Sequence, residues 1–449
     1  MPARHPDRIA LERFSRGHSA TAEERWIEDH LRSGCSVCQR EVDGLLSRAF
    51  QPAGAGPAEE PGQDAAWDRL FATLEYRLSI ASAERGKAPA LVSELLGRPR
   101  EDWPERIRVR RFQTLAVCEL LIEKSFEEGF RDASRAVELA GLSLDLAGLL
   151  DGERYGRSVV QDLRARAWAY LGNARRISFD LAGAEEALIE AERLADAGSA
   201  DPLEEARILD LRASLLSDQG RFEQAAELLD LVIDIYDDLR EPHRKGRALI
   251  SKGVFLGYAG WPEEAIRSIR KGLSVVDWES EPRLVLMARH NLAWFLNDDG
   301  RSEEALEQLE RFRHAYQEFP DSWTGLRLAW LEGRIAVRLG RPEEAEAKLQ
   351  EVKRSFLAAG LGYDASLVTL DLAHLYLQEG RKAEVRALAD EMLTVFLSHD
   401  IHRQALAALA VFQQAAEADG ATQLLVQELS DYLLRARKNP ALRFAKTAA

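Results

Sequence analysis

Three residues near the amino terminus have the types and spacing of a metal site. His30 is followed by Cys35 and Cys38 in the segment His-Leu-Arg-Ser-Gly-Cys-Ser-Val-Cys. A histidine at the end of a helix and two cysteines in the loop after it can reach one ion, and a fourth donor would complete the tetrahedral coordination that zinc prefers. Such a site has no open position for a substrate, so the pattern predicts a structural zinc rather than a hydrolytic one.

Cysteine usage agrees with a metal site. The sequence contains three cysteines, and Cys118 lies alone in the apolar run Leu-Ala-Val-Cys-Glu-Leu-Leu-Ile, where we expect a small core residue. In a reducing compartment, a Cys-Xaa-Xaa-Cys pair beside a histidine favours metal binding over a disulfide. A segment of about fifty residues buries little core, so a metal would also explain how it folds.

The first 48 residues resemble the zinc-finger domain found in anti-sigma factors. The resemblance rests on His5-Pro, Leu11, Phe14, Gly17, the helix start Thr21-Ala-Glu-Glu, Ile27, His30-Leu, Cys35, Cys38, Glu41 and Leu45. It implies that His30, Cys35 and Cys38 are zinc ligands and that His5 is the fourth, with His18 as the rival fourth donor. It also implies that the module binds an extracytoplasmic-function (ECF) sigma factor.

A flexible segment separates this module from the rest of the chain. Residues 52–64 read Pro-Ala-Gly-Ala-Gly-Pro-Ala-Glu-Glu-Pro-Gly-Gln-Asp, a composition typical of linkers. The predicted organisation of the chain is a zinc module at 1–50, a linker at 51–64, a connecting helix at 65–100 and a helical repeat array at 101–449.

A repeat of 40 residues dominates the larger part. Its markers are Gly220, Gly260, Gly300, Gly340 and Gly380, and Gly420 extends the series. Small residues stand seven positions before the first five glycines: Ala213, Gly253, Ala293, Gly333 and Ala373. Small residues, or Val385, stand five positions after them, and Leu or Ile stands nine positions after the first four.

This spacing predicts helical hairpins. A glycine ends one helix at little steric cost because it tolerates a left-handed conformation, and the polar stretch after it opens the next helix. Small residues let the two helices of a unit approach closely, while the larger residues fill the gap to the next unit. Each unit hides its apolar face only by stacking on its neighbours, so we expect an all-α solenoid.

The repeats resemble the tetratricopeptide superfamily, on the strength of Gly-Arg-Phe-Glu-Gln-Ala-Ala-Glu-Leu-Leu at 220–229 and Gly-Arg-Ser-Glu-Glu-Ala-Leu-Glu-Gln-Leu at 300–309. In that architecture the first helix of each pair lines a concave groove, which implies binding of a protein or peptide. The predicted groove residues are His290, Trp294, Asn297, Arg327, Trp330, Arg334 and His374. Aromatic and arginine side chains are the usual anchors of interfaces. The alternative is that Trp294 and Trp330 only pack between units.

Composition excludes several classes of protein. Hydrophobic residues make up 46% of the 449 residues, charged residues make up 30%, and the formal net charge is −15. A field of that sign repels phosphate backbones and anionic lipids, so we expect neither nucleic acid nor a membrane as a partner. The longest uncharged apolar stretch, Ala405 to Phe412, is much shorter than the roughly 20 residues needed to span a bilayer. The amino terminus has no secretory pattern, which predicts a cytoplasmic protein.

No catalytic motif is found in the sequence, so we expect that the chain is not an enzyme. Gly-rich phosphate loops, His-Glu-Xaa-Xaa-His and Gly-Xaa-Ser-Xaa-Gly are absent. The pairs Glu263-Glu264 and Glu303-Glu304 stand at the starts of second helices, where carboxylates complement the helix dipole.

These features together predict a cytoplasmic regulatory adaptor. Its zinc module would engage a sigma factor, and its array would receive a second protein or a peptide. The alternative is a structural assembly scaffold in which the zinc module is only a folded cap.

Overall fold

The structure is a computed structural model, and all regular structure among its described residues is helical. The described residues are 82–129, 131–398, 403–436 and 442–444, together with eleven single positions between Pro6 and Val42. Within this part of the chain, none of the helices combines the length and the apolar composition that spanning a bilayer requires.

The chain divides into two compact units, and the first is Met1–Arg212. Its described helices are α1 (82–96), α2 (Trp103–Arg106), α3 (Leu115–Glu128), α4 (Ala133–Gly148), α5 (Gly152–Tyr155), α6 (Arg157–Ile177) and α7 (Leu181–Asp196). The helix α8 (Pro202–Asp218) contains the division. Helices α3 and α4 form one contacting pair, and α6 and α7 form another.

The second unit, Ala213–Ala449, is the regular part of the array. Its remaining helices are α9 (Phe222–Asp238), α10 (Pro242–Tyr258), α11 (Pro262–Val275), α12 (Pro282–Asp298), α13 (Ser302–Gln317), α14 (Ser322–Arg338), α15 (Pro342–Ala358), α16 (Gly362–Gln378), α17 (Lys382–Ser398), α18 (Arg403–Glu417) and α19 (Gln423–Ala436). Counting from α10, the even-numbered helix is the first of each pair, and the odd-numbered helix is the second.

Left-handed glycines end the first helices, as the repeat predicts. Gly220, Gly260, Gly300, Gly340 and Gly380 have φ angles between 66° and 91°. At the end of α12, for example, the Gly300 amide donates to the Asn297 carbonyl at 3.2 Å and the Arg301 amide donates to the Leu296 carbonyl at 2.9 Å. This pair of bonds is the Schellman motif, which satisfies carbonyls left open at a helix end.

Small residues bring the two helices of a pair into close contact. A Cβ placed on Gly253 would lie 2.5 Å from Ile269 Cγ1 and 2.9 Å from the carbonyl oxygen of Ala265. A Cβ on Gly333 would lie 2.8 Å from Leu349 Cδ2. The predicted interlock between small and large positions is therefore observed, and the all-α, tetratricopeptide-like repeat fold is confirmed.

One turn departs from the predicted series. Before α19 the left-handed residue is Asp419, with φ 52°, rather than Gly420. The predicted linker 51–64 and residues 65–81 of the connecting helix lie outside the described residues, and the proposed domain boundaries stay predictions.

Replacing Gly253 by alanine tests the close approach. Because backbone atoms of α11 block the new methyl group, we expect Gly253→Ala to destabilise the protein by about 1–3 kcal/mol. Gly325 is the matched control, since it lies in α14 with nothing within 4 Å of its would-be Cβ. Gly325→Ala should stabilise by up to about 1 kcal/mol through helix propensity. Urea unfolding measures both, and equal effects would contradict the interlock.

Candidate functional site

The described amino-terminal positions bring three predicted metal ligands together. Ligand atoms of His30, Cys35 and Cys38 all lie within 4.8 Å of one another. Around a tetrahedral zinc, bonds of about 2.0–2.3 Å place ligand atoms roughly 3.5–4 Å apart, so small side-chain movements allow all three to bind one ion. Cys38 is buried, and His30 and Cys35 are half-buried. The donor set and its spacing therefore fit a zinc ion.

A small apolar core surrounds this cluster. The buried residues that pack together there are Ala10, Leu11, Phe14, Ile27, Leu31, Cys38 and Val42. His5 and His18, the two candidates for the fourth ligand, lie outside the described residues. Zinc binding therefore stays a prediction, supported by the geometry of three donors.

In the second unit, three successive first helices place a connected group of side chains on one surface. Trp294 of α12 and Trp330 of α14 meet edge to face, with ring centroids 5.2 Å apart. Trp330 Nε1 donates a hydrogen bond to Asp371 Oδ2 of α16 at 2.7 Å. We call this surface of α12, α14 and α16 the first-helix face, and define it by Trp294, Trp330, Arg334 and Asp371.

Arg334 joins the three helices of this face. Its guanidinium carbon lies 4.1 Å from the centroid of the Trp294 ring, a cation–π contact. Nη2 lies 3.1 Å from Asp298 Oδ1 of α12, and Nε lies 3.3 Å from Asp371 Oδ1 of α16. The third nitrogen, Nη1, is buried and donates no hydrogen bond to any described residue. The face therefore holds an arginine positioned by three contacts, with one buried nitrogen that no described residue uses.

The carboxylates beside Arg334 are in a partly desolvated environment. Desolvation by the surrounding helices raises the pKa of Asp298, and the positive charge of Arg334 offsets part of that rise. Asp371 contributes to the same rise, since two nearby carboxylates repel one another. Arg334 therefore lies between two carboxylates and offsets part of the rise in the pKa of Asp298.

Two of the predicted groove residues are buried within the packing. His290 is 4% exposed, and its Nδ1 lies 2.9 Å from the Tyr316 hydroxyl oxygen. Asn297 is 1% exposed, and its Oδ1 accepts a hydrogen bond from Ser302 Oγ at 2.9 Å. In this structure their polar atoms support neighbouring helices rather than facing solvent.

The other predicted residues lie closer to the surface. Arg327 is half-buried, with its guanidinium 5.3 Å from the ring centroid of Trp323. His374 is half-buried, and its Nε2 lies 3.0 Å from Gln378 Nε2. Desolvation and the charge of Arg338 lower the pKa of His374, which favours the neutral ring.

The structure places the predicted groove residues in two roles. Trp294 and Arg334 are half-buried parts of the first-helix face, while Trp330 is 8% exposed and packs between Trp294 and Phe356. Most of the Trp330 side chain thus packs between helices, as the alternative interpretation predicts. Binding of a partner by any of the seven residues stays a prediction. Sequence reasoning missed Asp371, whose signal was a lone acid within the apolar run Leu-Asp-Leu-Ala.

Comparison with known proteins gives a likeness in fold. No family model matches the sequence, and no curated protein matches it. A Rap protein solved in complex with competence and sporulation factor superposes with a TM-score of 0.54 at 14% identity, covering 72% of this chain and 87% of that chain. The chain has a tetratricopeptide-like helical repeat fold.

A second solved structure is similar over a longer range. Aspartyl phosphate phosphatase F from Bacillus subtilis covers 88% of this chain and 96% of its own length, at 14% identity and a TM-score of 0.49. That score is too low to carry an argument. The likeness to the first structure shows a shared fold, and at 14% identity it shows nothing about activity.

The buried His290 predicts a loss of stability in acid. Burial, with a smaller contribution from Arg327, lowers the pKa of His290 from 6.5 to about 3. Its folded pKa lies below its unfolded pKa, so its contribution is complete above about pH 6.5 and is lost as pH falls toward 3. In that window we expect the free energy of unfolding to fall by up to about 1.4 kcal/mol per pH unit more than in His290→Gln.

Urea unfolding at several pH values measures this difference. His314 is the control because it is exposed in α13. His314→Gln should keep the wild-type pH dependence. An unchanged slope in His290→Gln would contradict the assignment of the acid sensitivity to this ring.

Proposed function

We propose that this chain is a cytoplasmic regulatory adaptor that binds a protein or peptide on the first-helix face. The observation that carries the proposal is Arg334, a half-buried side chain that is stacked on Trp294 and has one buried donor nitrogen that no described residue uses. A structurally similar Rap protein was solved in complex with competence and sporulation factor, which supports complex formation by this fold. The proposal assigns no catalytic role to the chain.

The amino-terminal module is the second part of the proposal. His30, Cys35 and Cys38 would hold a zinc ion, with His5 or His18 completing the site. The bound ion would fix the fold of a segment too short for a large core. On its resemblance to anti-sigma zinc fingers, we propose that the module binds an ECF-type sigma factor. In the alternative, a structural scaffold, the module is only a folded cap.

Metal analysis of the full chain tests the zinc module. Purified under reducing conditions without chelators, the protein should contain one equivalent of zinc per chain. His30→Ala and Cys38→Ala should each lose it, because a structural site needs its full ligand set. Cys118→Ala should retain the zinc, since Cys118 is buried elsewhere and its Sγ contacts the Ser143 carbonyl oxygen at 3.3 Å. Protein without zinc would contradict this part of the proposal.

Site-specific photocrosslinking tests the partners. A crosslinking residue at Arg327, which lies about two helical turns before Arg334 on α14, should capture a partner protein or peptide in cells. The same residue at Arg267 should not, because Arg267 is exposed on the second helix α11. A crosslinking residue at Trp26, which is 42% exposed beside the metal cluster, should capture an ECF-type sigma factor. If a partner is crosslinked at position 327 but no sigma factor is crosslinked at position 26, the result would favour the alternative of a structural scaffold. No adduct specific to 327 would overturn binding on the first-helix face.

A further inference from the structure

The last described helix, α19, does not follow the repeat. In the preceding pairs of the second unit, such as α10–α11 and α14–α15, the second helix packs extensively on the first helix of its own pair. The second helix α19 instead packs more extensively on α16, the first helix of the pair before, than on its own partner α18. The chain turns into α19 through the left-handed Asp419, one residue earlier than the glycine series predicts.

As a result, α16 is covered on nearly all sides. Its buried residues are Gly362, Asp364, Ala365, Ser366, Leu367, Val368, Thr369, Leu370, Leu372, Ala373, Leu375 and Tyr376. These positions run around the whole helix circumference rather than along one stripe. A helix that is apolar all round needs partners on every face. The apolar residues of α19 that share its core are Leu425, Val426, Leu429, Tyr432, Leu433 and Ala436.

The far end of α19 reaches the start of the second unit. A Cβ placed on Gly220 would lie 3.8 Å from the Cβ of Arg435. Gly220 is the first glycine of the series, and it precedes Gly380 by four repeats. Helix α19 therefore runs from α16 to the turn before α9, alongside first helices rather than in line with second helices.

Charge also connects α19 to the first-helix face. Desolvation raises the pKa of Asp431 on α19, and the positive charges of Arg435 and Arg334 counter that rise. Asp431 in turn contributes to the raised pKa of Asp298. The carboxylate of α19 thus lies within electrostatic range of the arginine that joins α12, α14 and α16.

We infer that α19 is an intramolecular occupant of the first-helix face, and that a partner's amphipathic helix takes its place. The partner would present apolar side chains at the spacing of Leu425, Leu429 and Tyr432, and a carboxylate at the position of Asp431, within electrostatic range of Arg334. Such a helix fits grooves between helices through residues at i, i+4 and i+7. The biological role of this exchange rests on the proposed function. Its test uses a synthetic peptide and needs no natural partner.

If α19 covers the first-helix face, it should compete with an added helical peptide for that surface. A tethered segment acts at an effective concentration on the order of millimolar, so an added helix binds poorly while α19 stays docked. Leu429 is fully buried on α19, and Leu429→Asp in the full chain should undock the helix. A labelled synthetic peptide of residues 421–437, with the natural sequence, should then bind at least ten-fold more tightly than it binds the wild-type chain.

The matched control is Leu434, which is on the same helix but is 38% exposed. Leu434→Asp should leave α19 docked and peptide binding at the wild-type level. A folded Leu429→Asp protein that gains no affinity for the peptide would overturn the inference. Failure of the crosslinking at position 327 would leave this peptide result unaffected, so the two proposals fail separately.

Hydrogen exchange of the wild-type chain covers the case in which Leu429→Asp does not fold. If α19 leaves its place as a unit, its amides should exchange faster than those of α16 and α17. Exchange of α19 together with α16, at the rate of global unfolding, would show that α19 is a permanent part of the core and would overturn the inference.

A disulfide gives the opposite perturbation. The 3.8 Å separation of the two Cβ positions lies in the disulfide range, so Gly220→Cys with Arg435→Cys should crosslink on mild oxidation, although a cysteine at the left-handed position 220 is strained. Added to Leu429→Asp, the oxidised bond should lower peptide affinity at least ten-fold, and reduction should restore it. Peptide affinity that does not respond to the bond would contradict binding on the surface that α19 covers.

Discussion

The close approach of the two helices in each pair is the constraint on which the second unit depends. Where Gly253 faces Ile269, or Gly333 faces Leu349, an added methyl group has no space. Each second helix also packs on the first helix of the next pair, so this contact positions successive first helices. In that arrangement Trp294, Arg334 and Asp371 meet across three helices and form the first-helix face.

The charges on this face are organised by one side chain. Arg334, on α14, contacts a carboxylate of the preceding first helix, α12, and a carboxylate of the next first helix, α16. It also covers the indole ring of Trp294. Pairing offsets part of the cost of placing charges where neighbouring helices displace water. The same arrangement that satisfies Asp298 and Asp371 also holds the guanidinium in one orientation. A preorganised arginine loses little entropy when it binds another acceptor, which is why such residues often dominate interfaces.

Much of this fold could be predicted from the sequence, because its rules are local. The glycine period identified the turns, and the small residues seven positions earlier identified the tight contacts. The spacing of His30, Cys35 and Cys38 predicted that the three side chains meet, and the structure places their ligand atoms together. The roles of His290 and Asn297 could not be read in the same way, since their burial depends on neighbours in other helices. The position of α19 was also missed, because Gly420 continued the period while the chain turned at Asp419.

The early turn at Asp419 has a consequence for the direction of the chain. One residue corresponds to about 100° of helix rotation, so a helix that ends one residue early sends the chain out in a different direction. The first helices α10, α12, α14 and α16 end at Tyr258, Asp298, Arg338 and Gln378, whereas α18 ends at Glu417, one position short of the period. The last described helix then packs mainly on α16, in the pair before its own. A one-residue change of phase thus redirects a helix onto an earlier unit of the array.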